Sequence, residues 1–337
     1  MSLNPVVEEI TQADERVGDV APTKELAGKS PTQIAFERLR KDKIAVVCAV
    51  ILVIMVLGAA FAPLICKAMH ITASVDGPYA LDNTTALDFY NYPLPQYAGF
   101  HWPHLLGIAP QTATDNLATL LSGMRNSLII ALIATFFTTV IGLAVGLAAG
   151  FSRGFLDRVL TFVIDLFLSF PLILFALALA PIITQRFATD SHKLQIAQFV
   201  SLIFILSTLS WMGLARLVRG QVLQLREREF VLAAQVMGAS TRRILVKELI
   251  PNLVATLVIA LSLSIPGFIA AEVGFSFLGI GLTGSSSMGQ MIQAATQYYD
   301  TYPLFLWMPV GALVVLVLSL NLLGDSIRDA FDPKTRR

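Results

Sequence analysis

Charge is what this chain has least of. Asp, Glu, Lys and Arg make up 14% of its 337 residues, against roughly a quarter in an ordinary soluble domain. The deficit is matched by 55% hydrophobic residues and a mean hydropathy of +0.70. Cysteine is nearly absent too. Cys48 and Cys66 stand 18 residues apart on one expected helix, roughly 27 Å along its axis, which is too far for a disulfide. Catalytic signatures are also lacking. No phosphate-cradling G-x-x-x-x-G-K-[ST] occurs, nor H-E-x-x-H, C-x-x-C or G-x-S-x-G, so the chain is not expected to hydrolyse ATP itself. His70, His101, His104 and His192 do not cluster with Cys or carboxylates as metal ligands would. His101 and His104, three apart, could meet a metal, but a local interfacial role suits them better. No chain of buried Asp, Glu and His offers a proton relay. No catalytic residue, metal, cofactor or nucleic-acid partner is therefore expected.

What the chain has is apolar length. Six runs reach about 20 residues, enough to cross a bilayer as a helix: Ile44–Ile65, Asn126–Gly150, Val159–Ile183, Leu194–Ala215, Asn252–Ala271 and Leu304–Leu323. The basic residues sort between their connections. Seven precede Ile44, two (Arg153, Arg158) follow the second run, seven lie from Arg216 to Lys247 and four from Arg328 to Arg337. Only Lys67, Arg125, Arg186 and Lys193 fall in the other connections. The positive-inside rule then puts both termini in the cytoplasm. The expected fold class is an all-α membrane protein of six transmembrane helices.

Residues 1–30 are polar, acidic and poor in aromatics, the composition of a disordered cytoplasmic tail. Residues 31–43 suit a short interfacial helix, residues 44–65 the first span, and residues 66–125 the one sizeable external segment. That segment is rich in Tyr, Phe, Pro and Trp, and reads equally as a lobe for an external partner or as an interfacial belt. A five-helix core, 126–323, would follow, with a cytoplasmic C-terminus at 324–337.

Within the spans, Gly142, Gly146 and Gly150 share one helical face, a spacing that lets membrane helices approach closely. Pro171, Pro181, Pro266 and Pro309 interrupt other spans. Asp165 is the one ionisable residue well inside a span. It is read either as half of a structural pair with Arg158, Arg216 or Arg219, or as lining a pathway. Glu272 is placed at the outer end of the fifth span, where charge costs little, in a structural or gating role.

The most informative stretch is polar. Leu232 to Met237 can form about two helical turns in which Ala233 and Ala234 carry almost no side chain. Gly238 suits the left-handed turn that ends a helix and Pro251 the first turn of the next. Such a helix on the cytoplasmic side is a handle for a soluble partner.

The segment Glu229–Pro251 resembles the cytoplasmic loop of bacterial ABC-importer permeases, written E-A-A, three residues, Gly, nine residues, Ile-x-Leu-Pro. Ala233, Ala234, Gly238 and Pro251 match in register. Leu232 replaces the glutamate, Glu248 the isoleucine and Ile250 the leucine. The stretches from Arg216 to Gln221, Leu225 to Phe230, Phe275 to Gly281 and Asn321 to Pro333 are similar to one branch, the second permease of dipeptide, oligopeptide and nickel importers. One departure stands out. His104-Leu105-Leu106-Gly107 is not followed by the branch's Thr-Asp-x-x-Gly-Arg-Asp.

The resemblance implies the type I importer (MetI-like) fold in a bacterial plasma (inner) membrane. It also implies a second homologous permease, two cytoplasmic ATP-binding-cassette ATPases and an external substrate-binding protein. Peptides are the implied cargo, with nickel or another small solute as the alternative and an ion-driven carrier further off. Glu229, Leu232, Ala233, Ala234, Gly238, Ala239 and Pro251 would then couple to an ATPase, framed by Arg226, Arg228, Arg242, Arg243 and Lys247.

Overall fold

The computed structural model describes residues 31–282 and 286–331; the expected acidic tail lies outside them. Helix α1 (Pro31–Lys41) ends on Arg38, Arg40 and Lys41, cations that favour a helix C-terminus. Asp42 then caps α2 (Lys43–Ala60), its carboxylate accepting the Ile44 N–H at 2.9 Å and the Ser326 hydroxyl at 2.7 Å. One side chain thus starts a helix and ties it to the far end of the chain. Only Ala45, Cys48, Leu52 and Ala59 of α2 are buried, on one stripe, while Val46, Val47, Val50, Val53 and Ile54 stay exposed. An apolar exterior of this kind is what a bilayer covers. Helix α3 (Ala62–Met69) continues it beyond a break at Phe61.

A lobe with one short helix, α4 (Asn83–Ala86), precedes the long α5 (Asn116–Phe151). Then come α6 (Phe155–Leu168), α7 (Leu172–Phe187), α8 (Ser191–Thr208) and α9 (Trp211–Leu225). Beyond the polar turn are α10 (Glu229–Val236), α11 (Thr241–Arg243), a π-helical turn (Ile244–Leu249) and α12 (Ile250–Phe277). Helices α13 (Met288–Ala295) and α14 (Pro303–Phe331) close the bundle. Among the described residues there is no β-strand, only the isolated bridges Leu87–Pro93 and Ile108–Asp115. The fold is all-helical. α9 lies along α5, α12 packs between α5 and α14, and α2 leans on α14. The main core lies where α5, α12 and α14 meet α8, around Ile130, Leu202, Leu206, Ile269 and Leu316.

Five helical stretches are long and apolar enough to cross a membrane, and six if α6 with α7 is one span. That pair contains the expected run Val159–Ile183 and bends by 75° between its halves, at the expected interruption. Pro171 sits at the bend as the N-cap of α7, and with no N–H it cannot carry the ladder through. The second helix begins ten residues before the expected Asn126. Asp115 caps it there through the Ala118 N–H at 2.8 Å, so its first turns lie in the lobe, where hydropathy gives no signal. The last helix likewise runs past Leu323 to Phe331, its polar end held by Ser326 on Asp42 and by α1.

Candidate functional site

At the basic end of the bundle the polar turn folds as a short, partly anchored helix. α10 covers Glu229–Val236, starting three residues before the expected Leu232 and ending one before the expected Met237, which caps it. Its stop has a clear cause. Gly238 adopts φ +78°, its N–H donates to the Gln235 carbonyl and the Ala239 N–H to the Ala234 carbonyl, both at 3.0 Å. That is the paired pattern of a glycine-terminated helix. Val231 and Ala234 point inward, joining Leu147 of α5, Val218 and Val222 of α9, Ile244 and Leu249 of the π-helical turn and Leu253 of α12 in one buried cluster. The opposite face is bare: Val236 is 89% exposed and Met237 81%, with Leu232, Phe230 and Glu229 exposed beside them. Ala233 is exposed as well. Pro251 stands in the first turn of α12, which runs on from the π-helical turn. The helical restart therefore comes upstream, after Ser240, and the wider π turn lets the chain continue past a residue without an N–H.

Three helices meet beneath α10 at close range. A Cβ on Gly146 would stand 2.7 Å from the Ala215 carbonyl oxygen and from Val218 Cβ. One on Gly150 would stand 2.7 Å from Val222 Cβ, and one on Gly142 3.0 Å from Leu214 Cβ. Only glycine lets α5 and α9 lie this close. Arg226 adds a polar tie at the C-terminus of α5, donating to the Gly150 carbonyl at 3.0 Å. Between α6 and α9 run two ion pairs. Arg219 donates through Nε and Nη2 to Asp157 at 3.1 and 2.9 Å, half-buried. Arg216 meets Asp165 at 2.6 Å, with 62% and 54% of the two side chains exposed. Arg158 turns to its own helix, donating to the Gly154 carbonyl at 3.4 Å.

Beside the Arg216 face lies a cavity of about 420 Å³, bounded by α5, α7, α8, α9 and α12. Its walls are mostly apolar, broken by Thr138, Thr139, Ser210 and Ser264 and by the bare backbone of Gly213 and Gly267. The buried Thr138 hydroxyl has no partner among the described residues. Hydroxyls scattered over an apolar wall can hydrogen-bond a passing solute at many points without holding it at one.

At the other end, Glu272 corrects the sequence expectation. It does not sit at a wet rim; it is completely buried. Its carboxyl group accepts hydrogen bonds from Ser127 of α5, from Ser276 one turn on at 2.7 Å and from Ser287 at 3.1 Å. Hydropathy could not show this, because the serines come from three separate segments. The lobe beyond has its own small core of Ala86, Leu87, Ile108 and Ala113. It rests on the bundle through Tyr92, stacked on Tyr302 at 5.7 Å, and through the Tyr302 hydroxyl, which donates to the Pro93 carbonyl at 2.9 Å. Phe89, Tyr90, Phe100 and Trp102 remain exposed on it. His104 is buried, its Nδ1 2.8 Å from Asp115, while His101 is exposed. Among the described residues no three His, Cys, Asp or Glu side chains group as metal ligands.

With this geometry in view, comparison with known proteins is specific. Residues 142–337 match the family described as binding-protein-dependent transport system inner membrane component, and residues 30–93 match the N-terminal TM domain of oligopeptide transport permease C. The oligopeptide transport system permease protein OppC of Escherichia coli K12 is 33% identical over 314 residues, spanning 93% of this chain and 94% of that one. OppC of Mycobacterium tuberculosis H37Rv is 34% identical over 260 residues, 77% of this chain and 83% of that one. OppC of Bacillus subtilis 168 is 28% identical over 304 residues, 90% of each chain. Among solved structures, a chain of the methionine ABC transporter MetNI, described as inward facing, superposes with a TM-score of 0.50. It is 22% identical, covering 64% of this chain and 96% of that one. This likeness shows the type I importer fold.

Proposed function

Since the chain belongs to the family of binding-protein-dependent inner membrane transport components, and is an ABC-importer permease of the OppC kind, we propose that it passes di- or oligopeptides through the membrane under the drive of partner ATPases. The supporting observation is α10, with Leu232, Val236 and Met237 bare on one side and Val231 and Ala234 locked into three helices on the other. An apolar patch of this kind on a helix otherwise held rigid fits a cleft on a soluble partner. In this reading an ATPase takes the bare face, with Arg226, Arg228, Arg242, Arg243 and Lys247 around the dock. When the ATPases close, the push on α10 passes through the shared cluster to α5, α9 and α12, the helices around the cavity.

The basic end is then cytoplasmic and the lobe external, with Phe89, Tyr90, Phe100 and Trp102 offered to a substrate-binding protein. A second, homologous permease covers the α9 and α12 side and completes the path. The exposed Asp165–Arg216 pair agrees with this, since two charges within a span are costly against lipid and belong against protein or water. A mostly apolar wall with scattered hydroxyls suits peptides, which share a backbone and differ in side chains.

The test is Val236→Asp with Met237→Asp in the complex reconstituted with its ATPases and binding protein. Both side chains are exposed, so the permease should fold normally. Losing two apolar anchors of about 1–2 kcal/mol each should cut ATPase association and peptide uptake tenfold or more. Unchanged uptake by the double variant would refute the docking surface.

A further inference from the structure

Glu272 is a buried carboxyl group whose partners are all hydroxyls and whose helix forms a wall of the cavity. Its hydrogen bonds join three segments: Ser127 on α5, Ser276 on α12 itself and Ser287 just before α13, each buried. The segment carrying Ser287 is wedged between α5 and α12. A Cβ on Gly289 would stand 2.7 Å from Ser276 Cβ, and one on Gly281 2.6 Å from the same atom. One on Gly123 of α5 would stand 3.0 Å from the Met288 nitrogen. Asn126 adds a bond to the Ser286 carbonyl at 2.8 Å. Facing the lobe, the same segment lines a separate cavity of about 380 Å³ through Ser286, Ser287, Gln290 and Met291. The wedge therefore stands between an outer cavity and the outer end of the bundle. Ser287 lines that outer cavity and holds Glu272 as well.

We propose that Glu272 is a positioning residue that seals the outer end of the transport path, by accepting the three serine hydroxyls that hold residues 286–291 between α5 and α12. The physical reason is one of satisfaction. With Glu272 removed, three buried hydroxyls lose their acceptor, at a cost per group that favours opening toward water. The inference rests on the permease reading above, but not on the cargo.

The test reads access from outside. Ser264, on the cavity wall eight residues before Glu272, is roughly 12 Å deeper along α12. In the assembled complex in proteoliposomes, with Cys48 and Cys66 replaced by Ala, Ser264→Cys is labelled by an impermeant maleimide added outside, without cargo or ATP. Glu272→Ala should label at least fivefold faster and raise ATPase activity measured without binding protein. Glu272→Gln should stay within twofold of the parent on both readouts. Its amide oxygen still accepts, and its NH2 can donate to a turned hydroxyl. Glu272→Ala labelling at the parent rate overturns the proposal, and so does Glu272→Gln behaving like Glu272→Ala. Should Glu272→Ala not assemble, Ser287→Ala removes a single donor and should label two- to threefold faster; parent-like labelling of that variant is equally fatal. Because no cargo is present, failed peptide uptake by the parent complex would sink the peptide reading alone and leave this result standing.

Discussion

Two sets of glycines on neighbouring helices behave in opposite ways. Gly142, Gly146 and Gly150 on α5 are filled against α9, to the point that an added methyl group would collide with Leu214, Val218 and Val222 or with the backbone beside them. Gly213 and Gly220 on α9, and Gly267 on α12, would meet nothing within 4 Å. α9 thus presents one face to a finished seam and leaves another open. A glycine in a membrane helix is costly in propensity unless something approaches it. The first set has its approaching helix within this chain. In the second set Gly213 and Gly267 line the cavity and Gly220 follows Arg216 by one turn of α9, where the permease reading puts the path and the second subunit.

The sharpest way to break this comparison is to fill both sets. Gly146→Leu should force α5 and α9 apart, costing about 1–3 kcal/mol or more, with a lowered Tm and loss of monodisperse protein in detergent. If the thermal unfolding of that variant matches the parent, the seam is not as close as described. Gly238→Val tests a third situation, a glycine that no neighbour crowds but whose φ of +78° disfavours any side chain. It should cost about 1–2 kcal/mol locally, leaving the spans intact and lowering peptide imported per ATP hydrolysed. Parent-like stoichiometry would argue against α10 as the transmitter.

Gly220→Ala should be neutral or stabilise the isolated chain by roughly 0.5–1 kcal/mol, through helix propensity alone. A fall in Tm for the isolated permease would mean that the face is not open; a fall confined to the assembled complex would place the second subunit on it.

The smallest expected effect concerns the tie between the ends of the chain. The hydrogen bond from Ser326, and those from the Ile44 and Ala45 N–H groups, hold the Asp42 carboxyl below its ordinary value. A lowered folded-state value contributes stability that is full above the ordinary carboxylate range and is lost as pH falls through the lowered value. Between pH 6 and 8 the contribution is therefore constant. Asp42→Asn should lower Tm by about 1–2 °C there and reduce the loss seen on acidification below pH 4. An equal acid loss in parent and variant would remove Asp42 as its source.

Much of this protein is written along the chain. Runs of about 20 apolar residues establish the spans, because a bilayer demands both length and internally satisfied backbone. Gly238 and the small residues before it establish a helix stop, because a left-handed turn has few tenants. The match of Ala233, Ala234, Gly238 and Pro251 to the permease loop pattern needed no coordinates either.

Tertiary structure decided what depends on distant partners. Asp165 had three candidate arginines by sequence, and only the antiparallel packing of α6 and α9 brings Arg216 to it. Glu272 read as a rim charge until Ser127 and Ser287, far away in sequence, enclosed it. Pro171 marked the break between α6 and α7 but not its 75° angle, and the extension of α5 into the lobe was silent, since hydropathy measures transfer to lipid and not the direction of a chain. Local covalent preferences and solvent transfer are properties of the sequence. Which buried polar group finds which partner is a property of the fold.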